Sequence, residues 1–373
     1  MFVVVVILFI FSAIAIVLHL FSLAVVFRRR FWPSRIKEPF WREHKVTIIR
    51  PVSGLENNLE QTLTSAFELD HPCYEVIFCV AKANDPVIPL CRNLIDRYRH
   101  IDARLLIGDD PVSDNPKLNN LVKGWKAAQY DWIAMTDSNV LMPKDYIKRC
   151  FARWDKQTGL VSSPPLGVDM ENFPAELEAA FLNSYQARWQ LTTDSISNGF
   201  AQGKTLFWRR EVLNRAGGIF ALNTELAEDA AATKLVRKQG LKVRVTAMPF
   251  KQPLGLRTFK TVWERQLRWA KLRRDSFPAF FYLEIISGSV FPFCCLLLGC
   301  LLAPAPFYLL LGYVILWYGS EFLVTAAVGW PFSGRQAFAM VARDILLILL
   351  WICAFKKGGY QWQGHRVPMD KGH

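Results

Sequence analysis

The first 27 residues, MFVVVVILFIFSAIAIVLHLFSLAVVF, carry no acidic or basic side chain except His19. As a helix, such a stretch crosses the roughly 30 Å of a bilayer's hydrocarbon at about 1.5 Å per residue. A cleaved leader has a basic start and a shorter apolar core ending in small residues; neither is present, so a retained anchor is expected. RRRFWPSRIK follows, five basic residues in ten, and by the positive-inside rule this side and the domain after it face the cytosol. Three further segments, 280–302, 306–329 and 337–355, are apolar enough to insert, yet carry Glu284 with Pro292, Glu321, and Arg343 with Asp344. Charges at membrane depth face protein or water rather than lipid. Three full crossings from a cytosolic domain would leave the tail outside, whereas KKGGYQWQGHR is basic and belongs inside. One segment, 280–302, is therefore expected to be re-entrant or interfacial.

The net charge of +13 calls for an anionic surface nearby. No zinc-finger spacing, helix-turn-helix signal or aromatic single-strand platform accompanies it, so nucleic acid is not expected as a partner. Anionic lipid head groups and a phosphorylated substrate suit a membrane-anchored basic chain better. The eight cysteines show no CxxC or Cys/His ligand spacing, and half of them, Cys294, Cys295, Cys300 and Cys353, fall in apolar C-terminal segments. Neither a zinc site nor a disulfide framework is indicated.

From residue 45 to about 248 the pattern alternates. Strands are expected at 45–52, 74–81, 103–110, 131–137, 159–165 and 242–248, and helices at 55–69, 86–99, 117–129 and 143–156. Such alternation implies crossovers and a mostly parallel sheet, whose ligands bind beyond the carboxyl ends of the strands. Asp137 stands at one such end, Ser53 and Gly54 at another, and Asp85 shortly after a third. Segment 171–194 reads as an amphipathic helix with Phe173, Leu177, Ala180, Phe181, Tyr185 and Trp189 on a core-facing stripe. The alternative is a helix at the bilayer interface, since Trp189, Tyr185 and Arg188 cluster toward one end.

Each notable acid has a plain structural reading. Asp85 before Pro86 suits a helix start, Asp137-Ser138-Asn139 suits a turn, and Asp229 beside Glu228 suits the positive end of a helix. Downstream, FKTVWERQLRWAKLRR places Arg265, Arg268, Trp269 and Leu272 along one side of a helix. Lipid phosphates would satisfy such a basic helix. Two guanidinium forks beside an indole fit a diphosphate more closely, because the fork binds phosphate bidentately.

Taken in order, Asp85, Asp137, Asp229 and Arg265-Gln266-Leu267-Arg268-Trp269 match a pattern of three aspartates followed by (Q/R)xxRW. With VTIIRPVSGLENNLEQTLTSAF, DARLLIGDDPVSDNPKLNNLVKGW, GKTLFWRREVLNRAGG and AEDAAATK, the chain resembles the inverting family 2-type glycosyltransferases of GT-A fold. It resembles the ceramide glucosyltransferase family more closely still, over roughly residues 46–275. The resemblance implies an α/β Rossmann-like domain with one N-terminal transmembrane helix and a C-terminal cluster of membrane segments. The expected organisation is an anchor at 1–27, a basic linker at 28–44, a cytosolic catalytic domain at 45–275, membrane segments at 276–357 and a basic tail at 358–373.

It also implies roles. Ser53, Gly54 and Asp85 would lie at the nucleotide, the aspartate on uracil or ribose, and Lys117 and Asn119 would approach a UDP-sugar from a helix start. Asp137 would ligate Mg²⁺ or Mn²⁺, ions that need only one or two protein carboxylates when phosphate and water complete the shell. Arg265 and Arg268 would stabilise the leaving diphosphate with Trp269 alongside, and Asp229 would act as general base toward a membrane lipid hydroxyl. One departure stands out: many relatives carry Asp-x-Asp where this chain has Asp137-Ser138-Asn139, which puts the part played by Asn139 in question. Glucose and ceramide are the expected donor sugar and acceptor. The same chemistry on diacylglycerol or a hopanoid, with N-acetylglucosamine or galactose, would look much alike in a bacterial member of the family. The membrane would then be a bacterial inner membrane rather than a Golgi or endoplasmic reticulum membrane. A processive polysaccharide synthase has Gln at the first motif position and more membrane segments; a non-catalytic nucleotide-binding membrane protein would leave the aspartates and RxxRW unexplained.

Overall fold

The computed structural model describes residues 1–33, 40–303, 305–356, 360–362 and 365–367. Part of the expected linker (34–39) and most of the expected basic tail lie outside the described residues. The chain divides into two compact units. One comprises Met1–Phe27, Glu171–Ser184 and Leu256–His373, the other Arg28–Met170 and Tyr185–Gly255.

After helix α1 (Phe2–Phe31) the chain alternates through β1 (Val46–Val52), α2 (Leu59–Thr64), β2 (Tyr74–Val80), α3 (Ile88–Arg97) and β3 (Asp102–Ile107). It continues through α4 (Pro116–Ala127), β4 (Trp132–Thr136), α5 (Tyr146–Phe151), β5 (Thr158–Ser162) and β6 (Pro165–Met170). Next come α6 (Phe173–Ala180), a π-helical stretch Phe181–Ala187, and α7 (Arg188–Ser195), so the expected helix at 171–194 has a widened middle. Strand β7 (Thr205–Arg209) runs into α8 (Arg210–Asn214), followed by α9 (Glu228–Lys238), β8 (Lys242–Val245) and β9 (Phe250–Gly255).

Seven strands form one sheet in the order β3-β2-β1-β4-β7-β5-β8. The pairs β1–β2, β2–β3, β1–β4 and β5–β8 are parallel, while β7 is antiparallel to both neighbours. All six expected strands are present. Strand β7, absent from the sequence reading, sits in the middle of the sheet, and the expected strand at 159–165 breaks at Ser163-Pro164, so that β6 leaves to pair with β9. The order explains why the strands read as apolar runs. Val46, Ile48, Tyr74, Val76, Phe78, Trp132 and Ala134 pack into the core on one face. Their alternates Ile49, Ile77, Cys79, Ile133 and Met135 pack into the core on the other, as a sheet covered on both faces requires. The strand order reverses between β1 and β4, the kind of switch point at which open α/β sheets bind ligands.

The juxtamembrane arginines are not all available to lipid. Arg29 is buried, ion-paired with Asp194, which also accepts from Arg153 at 2.9 Å.

In the other unit, α10 (Phe259–Ser276) is followed by α11 (Pro278–Leu283), α12 (Val290–Leu302), α13 (Tyr308–Ala327) and α14 (Gly334–Ala354), then the hairpin β10 (Tyr360–Trp362) and β11 (His365–Val367). Helices α1, α13 and α14 are each long and apolar enough to cross a membrane. Pro278–Ile286 and Val290–Leu302 form a pair bent by 48°, as in a broken span or a re-entrant loop. The break falls at Ser287-Gly288-Ser289 rather than at Pro292, which lies in the first turn of α12, where proline is tolerated. His19 is buried, with Nε2 3.0 Å from the Trp317 carbonyl and its ring stacked on the indole at 4.0 Å.

The charges expected at membrane depth are satisfied within the protein. Arg343 Nη1 lies 2.7 Å from Glu321 Oε1 and donates to Ser184 Oγ at 2.7 Å, and Arg343 Nη2 lies 2.8 Å from Asp344 Oδ1. Asp344 Oδ2 accepts from the Ser289 amide at 3.2 Å and the Tyr318 hydroxyl at 3.0 Å. The bend thus has a carboxylate beneath it.

Candidate active site

Asp137 leaves the end of β4 at the switch point, and its turn is held from below. Arg50, fully buried in mid-β1, donates from Nη2 to the carbonyls of Asp137 (2.8 Å), Ser138 (2.9 Å) and Val140 (2.9 Å), and from Nη1 to Thr62 (2.6 Å). Burial pulls its pKa down to about 10, still far above neutrality. The cation therefore serves as a fixed carbonyl clamp beneath the turn.

Two ammonium groups flank the Asp137 carboxylate. Lys117 Nζ lies 2.6 Å from Oδ1 and Lys204 Nζ 3.1 Å from Oδ2. Lys204 is brought there by β7: Thr136 pairs with Thr205, so the residue before β7 meets the residue after β4. Lys204 Nζ also donates to Asn139 Oδ1 at 2.9 Å, so Asp137 and Asn139 share one cation. Lys117 sits in the first turn of α4, whose start Asn115 caps by accepting from the amides of Lys117 and Leu118, an Asn-Pro helix entry. Lys117 Nζ further reaches Glu228 Oε1 and donates to the Gly203 carbonyl, both at 2.6 Å. Asn115 Nδ2 donates to Glu228 Oε2 at 2.7 Å.

Asp229, next along α9, is oriented by two backbone amides. Oδ2 accepts from Gly203 N and Oδ1 from Ala230 N, each at 2.8 Å. Burial, then the adjacent Glu228 charge, raise its pKa to about 6, against the opposing pull of Lys117 and the two amides. Asp137 goes the other way. Burial would raise it, but Lys117 and Lys204 outweigh that and hold it at about 2. Lys117 is held firmly protonated: burial opposes its charge, and Asp137 and Glu228 more than compensate. One end of the cluster is thus permanently ionised and the other titrates near neutrality, a division that suits metal or phosphate work at Asp137 and proton transfer at Asp229.

Gly203 joins the two sides of this cluster, its carbonyl accepting from Lys117 and its amide donating to Asp229. A Cβ there would come 2.7 Å from Glu228 Oε1 and 2.9 Å from Lys117 Nζ. Gly203→Ala is expected to lower the melting temperature, because the methyl group would part the largely buried Lys117–Glu228 ion pair. By displacing Lys117 it should lower turnover by roughly tenfold or more. Adding Lys117→Ala should then cost little further, a coupling read from initial rates of the single and double variants.

At the ends of β1 and β2, the Gly54 amide donates to both oxygens of Asp85 at 3.0 and 3.1 Å, and Val87 N donates to Asp85 Oδ1 at 3.0 Å. Gly54 adopts φ +67°, the left-handed region that favours glycine. Ser53 is exposed beside it. Asn119 is turned to its own loop, accepting from the amides of Val112 and Ser113 and donating to the Ser113 carbonyl. Arg265, Arg268 and Trp269 lie on α10 in the other unit, where Arg265 pairs with Glu178.

Arg50, Asn115, Gly203, Lys204 and Glu228 were not singled out as site residues from sequence. An arginine amid the apolar run of β1 was a visible signal. Lys204 needed β7, which passes straight into α8 without a turn to mark it.

A mostly parallel sheet with acids and lysines gathered at its switch point, in a chain with candidate membrane spans, defines a GT-A-type fold. A mannosyltransferase of Pyrobaculum calidifontis solved with GDP-Man and Mn2+ shares it, with a TM-score of 0.53 and 18% identity over 93% of this chain and 97% of that one. The chain belongs to Glycosyl transferase family 21, whose profile matches residues 7–373. It is 28% identical over 247 residues to ceramide glucosyltransferase 1 of Caenorhabditis elegans, covering 66% of this chain and 53% of that protein. It is 29% identical over 287 residues to the ceramide glucosyltransferase of Komagataella phaffii, covering 61% of this chain and 56% of that protein. The chain thus spans little more than half the length of these curated relatives.

Proposed function

We propose that the protein moves one glucosyl group from UDP-glucose to a ceramide hydroxyl, with inversion, at a membrane. The observation that carries the reading is the Asp229 carboxylate, fixed by two amides in the same cluster as Asp137, Lys117 and Lys204. Family membership and the ceramide glucosyltransferase relatives support it.

In this reading the acceptor oxygen attacks the anomeric carbon while the bond to the diphosphate oxygen breaks on the opposite face, and the acceptor proton passes to Asp229. An α-linked donor gives a β-linked lipid. Lys117 and Lys204 offset charge developing on the diphosphate, and the loop of Ser53, Gly54 and Asp85 receives the nucleotide. The resemblance of the RxxRW motif alone assigns Arg268 and Trp269 to the leaving group.

The described residues include no group of three acidic, His or Cys side chains built around a metal. The donors present still fit a hard cation that keeps most of its shell on phosphate and water: a half-buried, permanently ionised carboxylate at Asp137, with the amide oxygen of Asn139 on the same ammonium. Asp137 would hold Mg²⁺ or Mn²⁺, and the Asn139 amide oxygen would be a weaker second donor. When bound, the ion would neutralise the diphosphate as it leaves. The exposed Arg28 and Arg30 in the last turn of α1 support a cytosolic site.

Purified protein with radiolabelled UDP-glucose and vesicles containing ceramide, diacylglycerol or a hopanoid polyol should yield one labelled β-glucosylceramide by mass spectrometry. A polymeric product, or label on none of the lipids, would overturn the reading. The pH profile follows from Asp229: the base must be ionised, and its pKa is raised to about 6. The rate kcat/KM should therefore be flat above about pH 7 and fall about tenfold per unit below pH 6. A profile flat to pH 4.5 would remove Asp229 from that role.

A further inference from the structure

Glu178 lies in mid-α6 with its side chain fully buried. Two guanidinium groups meet it: Arg257 Nε at 2.9 Å on Oε2, and Arg265 Nη1 on Oε1. Both arginine side chains are largely buried, 13% and 18% exposed. The same helix grips the backbone leading into α10. Asn172, which caps α6, accepts from Arg257 N at 3.2 Å and donates to its carbonyl at 2.8 Å. The rings of Phe173 and Phe259 approach to 6.1 Å. Four residues beyond Arg265, the Trp269 ring centroid lies 5.9 Å from its guanidinium carbon.

A buried carboxylate is tolerated only when its oxygens are matched by charge and hydrogen bonds, and Glu178 obtains this from Arg257 and Arg265 together. Conversely, Arg265 Nη1 is committed to Glu178, so the edge that contains it is not presented whole to a diphosphate, whose bidentate binding needs both donors of one edge. We infer that Arg265 is a positioning residue. Through Glu178 it fixes the face of α10 that carries Arg268 and Trp269, and it is not itself a ligand of the diphosphate. This revises the role that the RxxRW resemblance gives to its first arginine, and it makes Glu178 a partner of the motif, 87 residues upstream.

The kinetic half of the test rests on the proposed transfer; the stability half does not. Glu178→Gln, Arg265→Gln, the double variant and Glu178→Asp are compared in detergent by thermal unfolding, UDP affinity and steady-state rates. Each single Gln variant should lower the melting temperature, and the double should be no less stable than Glu178→Gln alone, as coupled partners behave. UDP affinity and donor KM should stay within about twofold of the parent in Arg265→Gln, while kcat falls on the order of a hundredfold through misplacement of α10. Glu178→Gln should show the same split, and Glu178→Asp should recover most of the loss. Additive melting losses would overturn the pair. A tenfold or larger loss of UDP affinity in Arg265→Gln, not shared by Glu178→Gln, would return Arg265 to the diphosphate. If the parent transfers no sugar, the proposed function fails, and the melting cycle and UDP affinity still decide this inference.

Discussion

Asp229→Asn is expected to lower kcat by about a thousandfold or more, within the range that general-base catalysis supplies, while leaving folding and UDP affinity close to those of the parent. The amide is isosteric. It can still accept from Gly203 N or Ala230 N, which orient the carboxylate at 2.8 Å each, but it cannot take the acceptor proton. Losing one negative charge beside Glu228 should also relax Lys117 slightly toward Asp137, so donor binding has no reason to weaken. A variant that bound UDP poorly would make Asp229 a donor-site residue. One that turned over at a tenth of the parental rate would mean the acceptor loses its proton elsewhere.

Arg343→Met should produce the largest loss of stability. The substitution leaves Glu321 and Asp344 buried close together without the cation that now lies 2.7 and 2.8 Å from them. Removing one partner of a buried charge set costs on the order of 3 to 5 kcal/mol. Changing Glu321 to Met in the same chain should recover much of this, because Asp344 retains Ser289 N and the Tyr318 hydroxyl. Unfolding in detergent, followed by tryptophan fluorescence, would show the single variant melting well below the double. Equal melting points would mean that water or lipid reaches the network.

Much of this was legible in the chain beforehand, for identifiable reasons. The strands that announced themselves, β1, β2 and β4, are buried on both faces, so their residues are mostly apolar, broken only by Thr47 and Arg50 in β1, Glu75 in β2 and Thr136 in β4. Asp137 was legible because such a run ended on a carboxylate, and Asp85 because Asp-Pro marks a helix entry; it does serve that turn, while also holding Gly54. What escaped depended on long-range pairing. Lys204 has no local signature, and only the antiparallel register of β7 against β4 carries it to Asp137. Glu178 looked like one more polar position on an amphipathic helix, because its two arginines are some eighty residues away. Asn119, which the resemblance places at the nucleotide-sugar, is bonded within its own loop to Val112 and Ser113, a local arrangement that sequence spacing does not show.

The insertion of β7 also bears on when the cluster comes into being. Gly203 and Lys204 reach Asp137 only after a loop of more than sixty residues has closed between β4 and β7, and Asp229 joins only after a further turn of chain. Contacts this distant in sequence pay their loop entropy late in folding. A partly folded chain with β1 to β4 assembled would therefore have half a cluster: Asp137 and Lys117, with neither Lys204 nor Asp229. A nucleotide-sugar analogue that bridges both halves would bind the finished sheet alone and stabilise it by mass action, so such a ligand would act as a folding aid as much as an inhibitor.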